Sequence, residues 1–261
     1  MRIGIAGYGV VGAALARLFS RGGSHHVEIY DKYIEHLSSA NHLEALNSCE
    51  IVFVAVPTPY DPLTSACDLS QINDIVDRIT TVICIVSTVP PGTTDGLIAR
   101  TGKRIVFSPE YLGESPDHPW QEADDCGFVV AGGEPELCAL VRAAYEQVHA
   151  HVEFVATPQA AAAELVKYMD TCFLATKVSF ANQFSDLARQ ANVDFTELRR
   201  LFVLDPRVGS SHTMISPERG FGGKCLPKDM RSIIAWAAQG DGAPLLQGVL
   251  SYNEQICKAQ K

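Results

Sequence analysis

Positive charge is what this chain is short of: Lys and Arg number 21 against 30 Asp and Glu, a net charge of −9. A chain so biased has little electrostatic hold on nucleic acid or on an anionic membrane surface, so neither is an expected partner. It also lacks any apolar run approaching the roughly 20 residues of a membrane span. Met1 leads straight into a strand pattern, Arg2-Ile3-Gly4-Ile5-Ala6, which leaves no room for a secretory leader, and the cytoplasm is the expected compartment. The 8 cysteines, at 49, 67, 84, 126, 138, 172, 225 and 257, include no CxxC pair and no metal-ligand spacing, and the 8 histidines are scattered. Reduced thiols and no metal site are therefore expected. There is no internal repeat and no low-complexity segment. An anionic ligand would have to be held by backbone amides and a few placed cations.

At 261 residues the chain is long enough for one large domain or two modest ones. The opening strand runs into Gly7-Tyr8-Gly9-Val10-Val11-Gly12, which opens a helix carrying Leu15, Leu18 and Phe19. Strand, GxGxxG and helix together form the dinucleotide fingerprint: a tight turn, close approach of backbone to a pyrophosphate, and close helix–strand packing. The next strand, Val27-Glu28-Ile29-Tyr30, ends at Asp31. A carboxylate there accepts from ribose hydroxyls and repels a 2′-phosphate, which favours NAD over NADP; Lys32 beside it weakens that preference. Further strands are expected at 51–56, 82–86, 104–107, 128–131 and 151–155, with helices near 69–79 and 136–148 between them. The alternation gives an α/β fold, a Rossmann-like doubly wound, mostly parallel sheet over residues 1–156. Its ligand loops are Pro57-Thr58-Pro59, Ser87-Thr88-Val89-Pro90-Pro91-Gly92 and Ser108-Pro109-Glu110-Tyr111-Leu112. Any loop between strand and helix can carry such residues, so taken singly each is open to a purely structural reading.

From Pro158 the texture changes. Leu165, Met169, Cys172, Thr176, Phe180, Leu187 and Ala191 recur at helical spacing, with Phe184 one step off. A helix of some thirty residues, about 45 Å long, is expected as the spine of an all-helical second domain, residues 157–261. Asp194 is expected to cap the next helix and Asp205-Pro206 to end it, with two last helices near 228–239 and 244–259. Lys167 and Thr171 lie four residues apart on one helix face, although the plain reading of Lys167 beside Glu164 is a surface ion pair. The stretch Gly220-Phe221-Gly222-Gly223-Lys224-Cys225-Leu226-Pro227-Lys228-Asp229 sets a cysteine among glycines and two lysines. Pro227 suits a first helical turn, so Cys225 is expected just ahead of a helix N-terminus, where backbone amides favour a thiolate nucleophile. The alternative is a glycine-rich turn with an incidental buried thiol.

These pieces, in this order, resemble the UDP-glucose/GDP-mannose dehydrogenase family along nearly the whole chain. Besides the stretches already quoted, Val54-Ala55-Val56, Ala163-Glu164-Leu165-Val166-Lys167-Tyr168, Phe173-Leu174-Ala175-Thr176-Lys177 and Asp205-Pro206-Arg207-Val208-Gly209 carry the likeness. The resemblance implies NAD-dependent oxidation of a primary alcohol to a carboxylate in two hydride transfers, through a cysteine thiohemiacetal and thioester. By position it implies, as catalytic groups, Cys225 as nucleophile, Lys167 as oxyanion stabiliser, Asp229 as assisting base, Glu110 at the substrate loop and Thr88 on the cofactor side. It implies cofactor contacts from residues 7–12, Asp31, Pro57, Thr58, Ser87, Thr88, Glu114 and Lys228. Substrate contacts would come from Glu110, Tyr111, Leu112, Lys167, Thr171, Arg207, Phe221 and Gly222. Arg207 matches an arginine that reaches a sugar across a dimer interface, so the helical domain is expected to make a homodimer through its long helix.

The departures bear on the substrate. Family members normally continue into a third, nucleotide-binding domain, whereas this chain stops at Lys261, and it is short between Asp31 and Ile51. Thr171 stands where the family has asparagine, and residues 210–219 match poorly. The small-molecule alcohol is thus either a nucleotide sugar held differently or a smaller nucleoside or sugar derivative. Two further readings stay open: a two-electron dehydrogenase that releases the aldehyde, and a non-catalytic NAD-binding subunit of a larger complex.

Overall fold

A computed structural model describes residues 1–113, 120, 122–149 and 151–258. The chain begins with strand β1 (Arg2–Ala6), helix α1 (Val10–Ser20), β2 (His26–Tyr30), α2 (Ala40–Asn47) and β3 (Ile51–Val54). A short hairpin follows, β4 (Tyr60–Asp61) and β5 (Ala66–Cys67), then α3 (Ser70–Arg78), β6 (Val82–Ile85), α4 (Thr93–Thr101), β7 (Ile105–Phe107), β8 (Phe128–Gly132), α5 (Pro135–Glu146) and β9 (Glu153–Thr157). The remainder is helical: α6 (Ala160–Gln190), α7 (Phe195–Phe202), α8 (Cys225–Ala237) and α9 (Pro244–Lys258). The described residues divide into two compact units, Met1–Pro59 with Cys67–Lys167, and Tyr60–Ala66 with Tyr168–Lys261. Helix α6 belongs to both.

The first unit is a seven-stranded sheet in the order β2-β1-β3-β6-β7-β8-β9. Every pairing is parallel except β7 with β8, which meet antiparallel at Phe107 and Gly132. The mostly parallel Rossmann-like sheet expected from the sequence is therefore present. Strands covered on both faces read as unbroken apolar runs. IVFV in β3 and VICI in β6 are buried at every position. Their side chains alternate between two cores. Phe53 and Cys84 join Ile3, Ile5, Leu15, Phe19 and Tyr145 on the face covered by α1 and α5. Val52, Val54, Ile83 and Ile85 face Ile72, Val76, Leu97 and the start of α6 at Ala160 and Ala163. Phe19 packs 4.8 Å from Phe53 and 5.2 Å from Tyr145, ring centre to ring centre. The chain leaves β1 to one side for β2 and returns on the other side for β3. That reversal opens a crevice beyond the carboxyl ends of β1 and β3, the usual ligand position in such a sheet.

The second unit packs Tyr168, Cys172 and Ala175 of α6 against Phe221 and against Met230 and Ile233 of α8, with Leu246, Val249 and Leu250 of α9 beside them. The 31-residue α6 matches the expected spine, but much of its apolar stripe faces outward. Met169 is 72% exposed and Phe173 60%, and Phe180, Phe184 and Leu187 are exposed as well. Asp194 caps α7 as expected, accepting from Thr196 N at 3.1 Å. The helix ends at Phe202, ahead of Asp205-Pro206, with the Val203 amide making the last helical bond to the Arg199 carbonyl at 3.0 Å. Asp205 instead starts a separate turn, accepting from the Arg207 amide at 3.0 Å. Among the described residues, no helix is long and apolar enough to cross a membrane.

Candidate active site

The glycine turn after β1 is shaped by backbone contacts. Gly7 has φ +93°, and a Cβ there would meet the Ala55 carbonyl oxygen at 2.6 Å; one on Gly12 would meet the Gly7 oxygen at 1.8 Å. Nothing lies within 4 Å of a Cβ built on Gly9, the residue that starts α1 with no side-chain cap of its own. Two glycines are thus required by packing and one borders open space at a helix N-terminus, where backbone amides favour an anion. Asp31 closes the turn from β2. Its carboxylate accepts from Tyr8 N at 2.7 Å and from Tyr33 N at 2.8 Å, which leaves lone pairs for further donors. An open glycine, helix amides for a pyrophosphate and a carboxylate for a ribose fit a dinucleotide. Val10 and Val11 are the first residues of α1.

The loops after β3 and β6 are stitched together. Thr58 Oγ1 donates to the Thr88 carbonyl at 2.7 Å, and Ser87 Oγ donates to the Val56 carbonyl at 2.7 Å. Pro57 is exposed between them. At the far end of the 87–92 loop, Gly92 starts α4 in a left-handed conformation, with φ 89°. The cap comes from Glu164 of α6, whose carboxylate accepts from Gly92 N at 2.5 Å, Thr94 N at 2.8 Å and Thr94 Oγ1 at 2.6 Å. Glu164 is fully buried, and burial pushes its carboxyl up while the Thr94 bonds hold it down. It is therefore a structural cap on α4, where the sequence suggested a surface ion-pair partner for Lys167.

After β7, Glu110, Tyr111 and Lys167 come together. Glu110 accepts from its neighbour, Tyr111 N, at 2.8 Å, and the Lys167 ammonium stands 4.6 Å from the centre of the Tyr111 ring. Glu110 keeps some accessible surface but sits deep among protein atoms, and this burial pushes its carboxyl up to about 7 against the pull of the Tyr111 amide and Lys167. Leu112 follows, packed against the sheet core. Glu114 lies outside the described residues.

In the second unit, Cys225 is the first residue of α8, with Lys224 as N-cap. It lies inside the helix start, one step later than the expected position just ahead of it. Pro227 tolerates this because the amides of a first helical turn need no intrahelical partner. All eight cysteines are among the described residues, and Cys225 is the exposed one. Cys172, by contrast, is buried, and burial together with the Asp229 charge pushes its thiol up to about 12. Asp229 is 2% exposed and lies 2.6 Å from the ammonium of Lys228 on the same helix.

The loop leading to Cys225 is held by groups that sequence reasoning missed. Asn253 of α9 accepts from Phe221 N at 2.7 Å and donates to the Phe221 carbonyl at 2.9 Å. Arg219 binds Asp186 at 2.8 Å, and Asn182 Oδ1 accepts from Gly220 N at 3.2 Å. Phe221 is thereby drawn into the core, while Gly222 is exposed. Thr171 is buried on α6. Arg207 is exposed and closed onto Asp205, with Nη2 2.6 Å from its carboxylate. Among the described residues, no group of three or more His, Cys, Asp or Glu could hold a metal ion.

The likeness to known proteins extends over both units. Residues 31–153 match the NAD binding domain of the UDP-glucose/GDP-mannose dehydrogenase family, and residues 161–255 match its central domain. The chain is 32% identical over 234 residues to the UDP-glucose 6-dehydrogenase of Pseudomonas aeruginosa, covering 82% of this chain and 51% of that protein. It is 30% identical over 223 residues to the UDP-glucose 6-dehydrogenase of Rickettsia prowazekii, covering 78% of this chain and 50% of that one. The chain thus spans about half the length of the curated relatives it matches. A UDP-glucose dehydrogenase structure from Pyrobaculum islandicum superposes with a TM-score of 0.84 at 26% identity, covering 97% of this chain and 68% of that one. NAD is accordingly the dinucleotide that the glycine turn and Asp31 fit. With both of its matched domains in family order, the chain belongs to the UDP-glucose/GDP-mannose dehydrogenase family.

Proposed function

We propose that this protein oxidises a primary alcohol to a carboxylate in two NAD-dependent steps, on a nucleotide sugar or a smaller nucleoside- or sugar-like molecule. The observation that carries the reading is Cys225: an exposed thiol at the first residue of α8, after a glycine loop braced from three sides. The names of the curated relatives make a UDP-sugar the first candidate. NAD supplies the hydride acceptor for both steps, held by the 7–12 turn, Asp31 and the loops at Pro57, Thr58, Ser87 and Thr88, with Glu114 and Lys228 as further contacts.

The residues divide the work by their chemistry. Cys225 adds to the aldehyde carbon formed in the first oxidation and gives a thiohemiacetal; loss of a second hydride leaves a thioester, which water cleaves to the acid and the thiol. Lys167 stabilises the oxyanion of the adduct. Asp229 assists proton removal, and Glu110, with its carboxyl near 7, exchanges a proton with substrate or water at neutral pH. Tyr111, Leu112, Thr171, Arg207, Phe221 and Gly222 complete the substrate side. Residues 1–156 serve as the cofactor domain and 157–261 as the helical domain carrying the cysteine. The exposed stripe of Met169, Phe173, Phe180, Phe184 and Leu187 supports a homodimer through α6, and reduced thiols suit the cytoplasm.

The test is the number of NADH formed per molecule of acid, across UDP- and GDP-sugars, nucleosides and simple sugars, with Cys225→Ser in parallel. Two NADH per acid, lost in the variant, is expected. One NADH per aldehyde would sink the thioester route, and NAD binding without turnover on any of them would favour a binding subunit.

A further inference from the structure

The residue after Asp31 is a lysine, and its position invites the wrong cofactor. A cation at the end of the second strand is the kind of group that accommodates a 2′-phosphate, while the carboxylate before it repels one. The structure shows where this cation goes. Lys32 Nζ donates to Asp74 Oδ2 of α3 at 3.1 Å, 42 residues away. The other oxygen of Asp74 is taken by Arg78, with Nε at 3.1 Å and Nη2 at 2.8 Å. One carboxylate therefore engages two cations, one of them the residue next to Asp31. The next acid on α3, Asp77, is engaged by Arg100 at 2.7 Å and does not share in this work. Lys32, Asp74 and Arg78 are all partly exposed, so the cluster supports neither core and is free to serve selectivity.

We propose that Asp74 is a specificity-determining residue: it engages the Lys32 ammonium and so keeps the site selective for the dinucleotide without a 2′-phosphate. The inference rests on the NAD reading above and adds a residue on a separate helix to it. Asp31 alone presents one negative charge to the ribose, beside one positive charge at Lys32. With Asp74 in place the Lys32 ammonium is held on a carboxylate, the three side chains carry one net positive charge and the repulsion by Asp31 prevails; without Asp74 they carry two, and Lys32 is released to meet a phosphate.

The experiment titrates NAD and NADP separately against the full chain, following the fluorescence of its 2 tryptophans and the shift in melting temperature. Asp74→Asn keeps the shape and removes the charge. It is expected to tighten NADP binding about three- to fivefold, the size an exposed ion pair supports, with NAD affinity unchanged. The gain should shrink as salt is raised. Adding Lys32→Ala to Asp74→Asn should return NADP to its wild-type affinity. An unchanged NADP-to-NAD ratio in Asp74→Asn would overturn the inference, as would a gain that survives the loss of Lys32. Failure of the wild-type chain to bind NAD would overturn the dinucleotide reading itself, an outcome the binding curves separate from the other two.

Discussion

The two units offer chemistry by opposite means. In the first, the parts aimed at a ligand are mostly backbone: the turn at Gly7, the open start of α1 at Gly9, and loops tied carbonyl to hydroxyl at Thr58–Thr88 and Ser87–Val56. In the second, the part proposed as reactive is one side chain, Cys225; Asn253 and Asn182 hold the backbone before it, and Asp186 holds Arg219 of the same loop. A site made of backbone tolerates many side-chain changes but is spoiled by one added carbon. A site made of a side chain survives crowding nearby but is lost with one atom.

The sharpest break in that comparison is Cys225→Ser. Acid formation should fall by about a thousandfold or more, while NAD affinity, for which the proposed contacts lie mostly in the other unit, stays unchanged in a fluorescence titration. Glycine substitutions test the backbone side. Gly12→Ala puts a carbon 1.8 Å from the Gly7 oxygen and should cost about 1–3 kcal/mol of stability together with NAD binding. Gly9→Ala meets nothing within 4 Å, so its melting temperature should hold while NAD binding is lost; a variant that still bound NAD normally would remove the pyrophosphate from this turn.

Asn253→Ala leaves the buried amide and carbonyl of Phe221 without their partner, which costs on the order of 1–3 kcal/mol for each group. Turnover should drop with the loosened cysteine loop, and NAD affinity should not move. The smallest effect is a matter of pH. Glu110 is raised from its ordinary 4.5 to about 7, so its carboxylate form, and kcat/KM with it, should rise through pH 7, and Glu110→Gln should flatten that limb. Because the folded protein holds this proton more tightly than the unfolded chain, wild-type stability relative to Glu110→Gln should decline as pH rises from about 4.5 to about 7. Unfolding curves at several pH values check the sign.

What the sequence made legible was local. Strands buried on both faces announce themselves as IVFV and VICI, the turn as GxGxxG, and α6 by 31 residues almost without a breaker. Less legible were contacts between residues far apart along the chain. Glu164 reaches back 72 residues to Gly92, Asn253 reaches 32 to Phe221, and Lys32 finds its carboxylate 42 residues on. One signal was available: α4 follows a glycine, which has no side chain to cap a helix, so its first amides needed an acceptor from elsewhere. The outward-facing stripe of α6 was legible only through the resemblance, which implied a dimer on that helix, because helical spacing fixes which residues share a face and is silent on whether anything covers it.

The three bonds that Glu164 makes to the start of α4 also bear on engineering. The 87–92 loop looks like a portable cassette, a short run of hydroxyls and prolines that could be grafted between a strand and a helix of another sheet. Its far end, however, is anchored to an acid that lies much later in the chain. A graft that moved the loop alone would carry Gly92 and Thr94 into a host with no acceptor for their amides, and the helix behind the loop would fray at its first turn. Loop and acid form one transferable unit, and chimeras among relatives should be cut so that both come from the same parent.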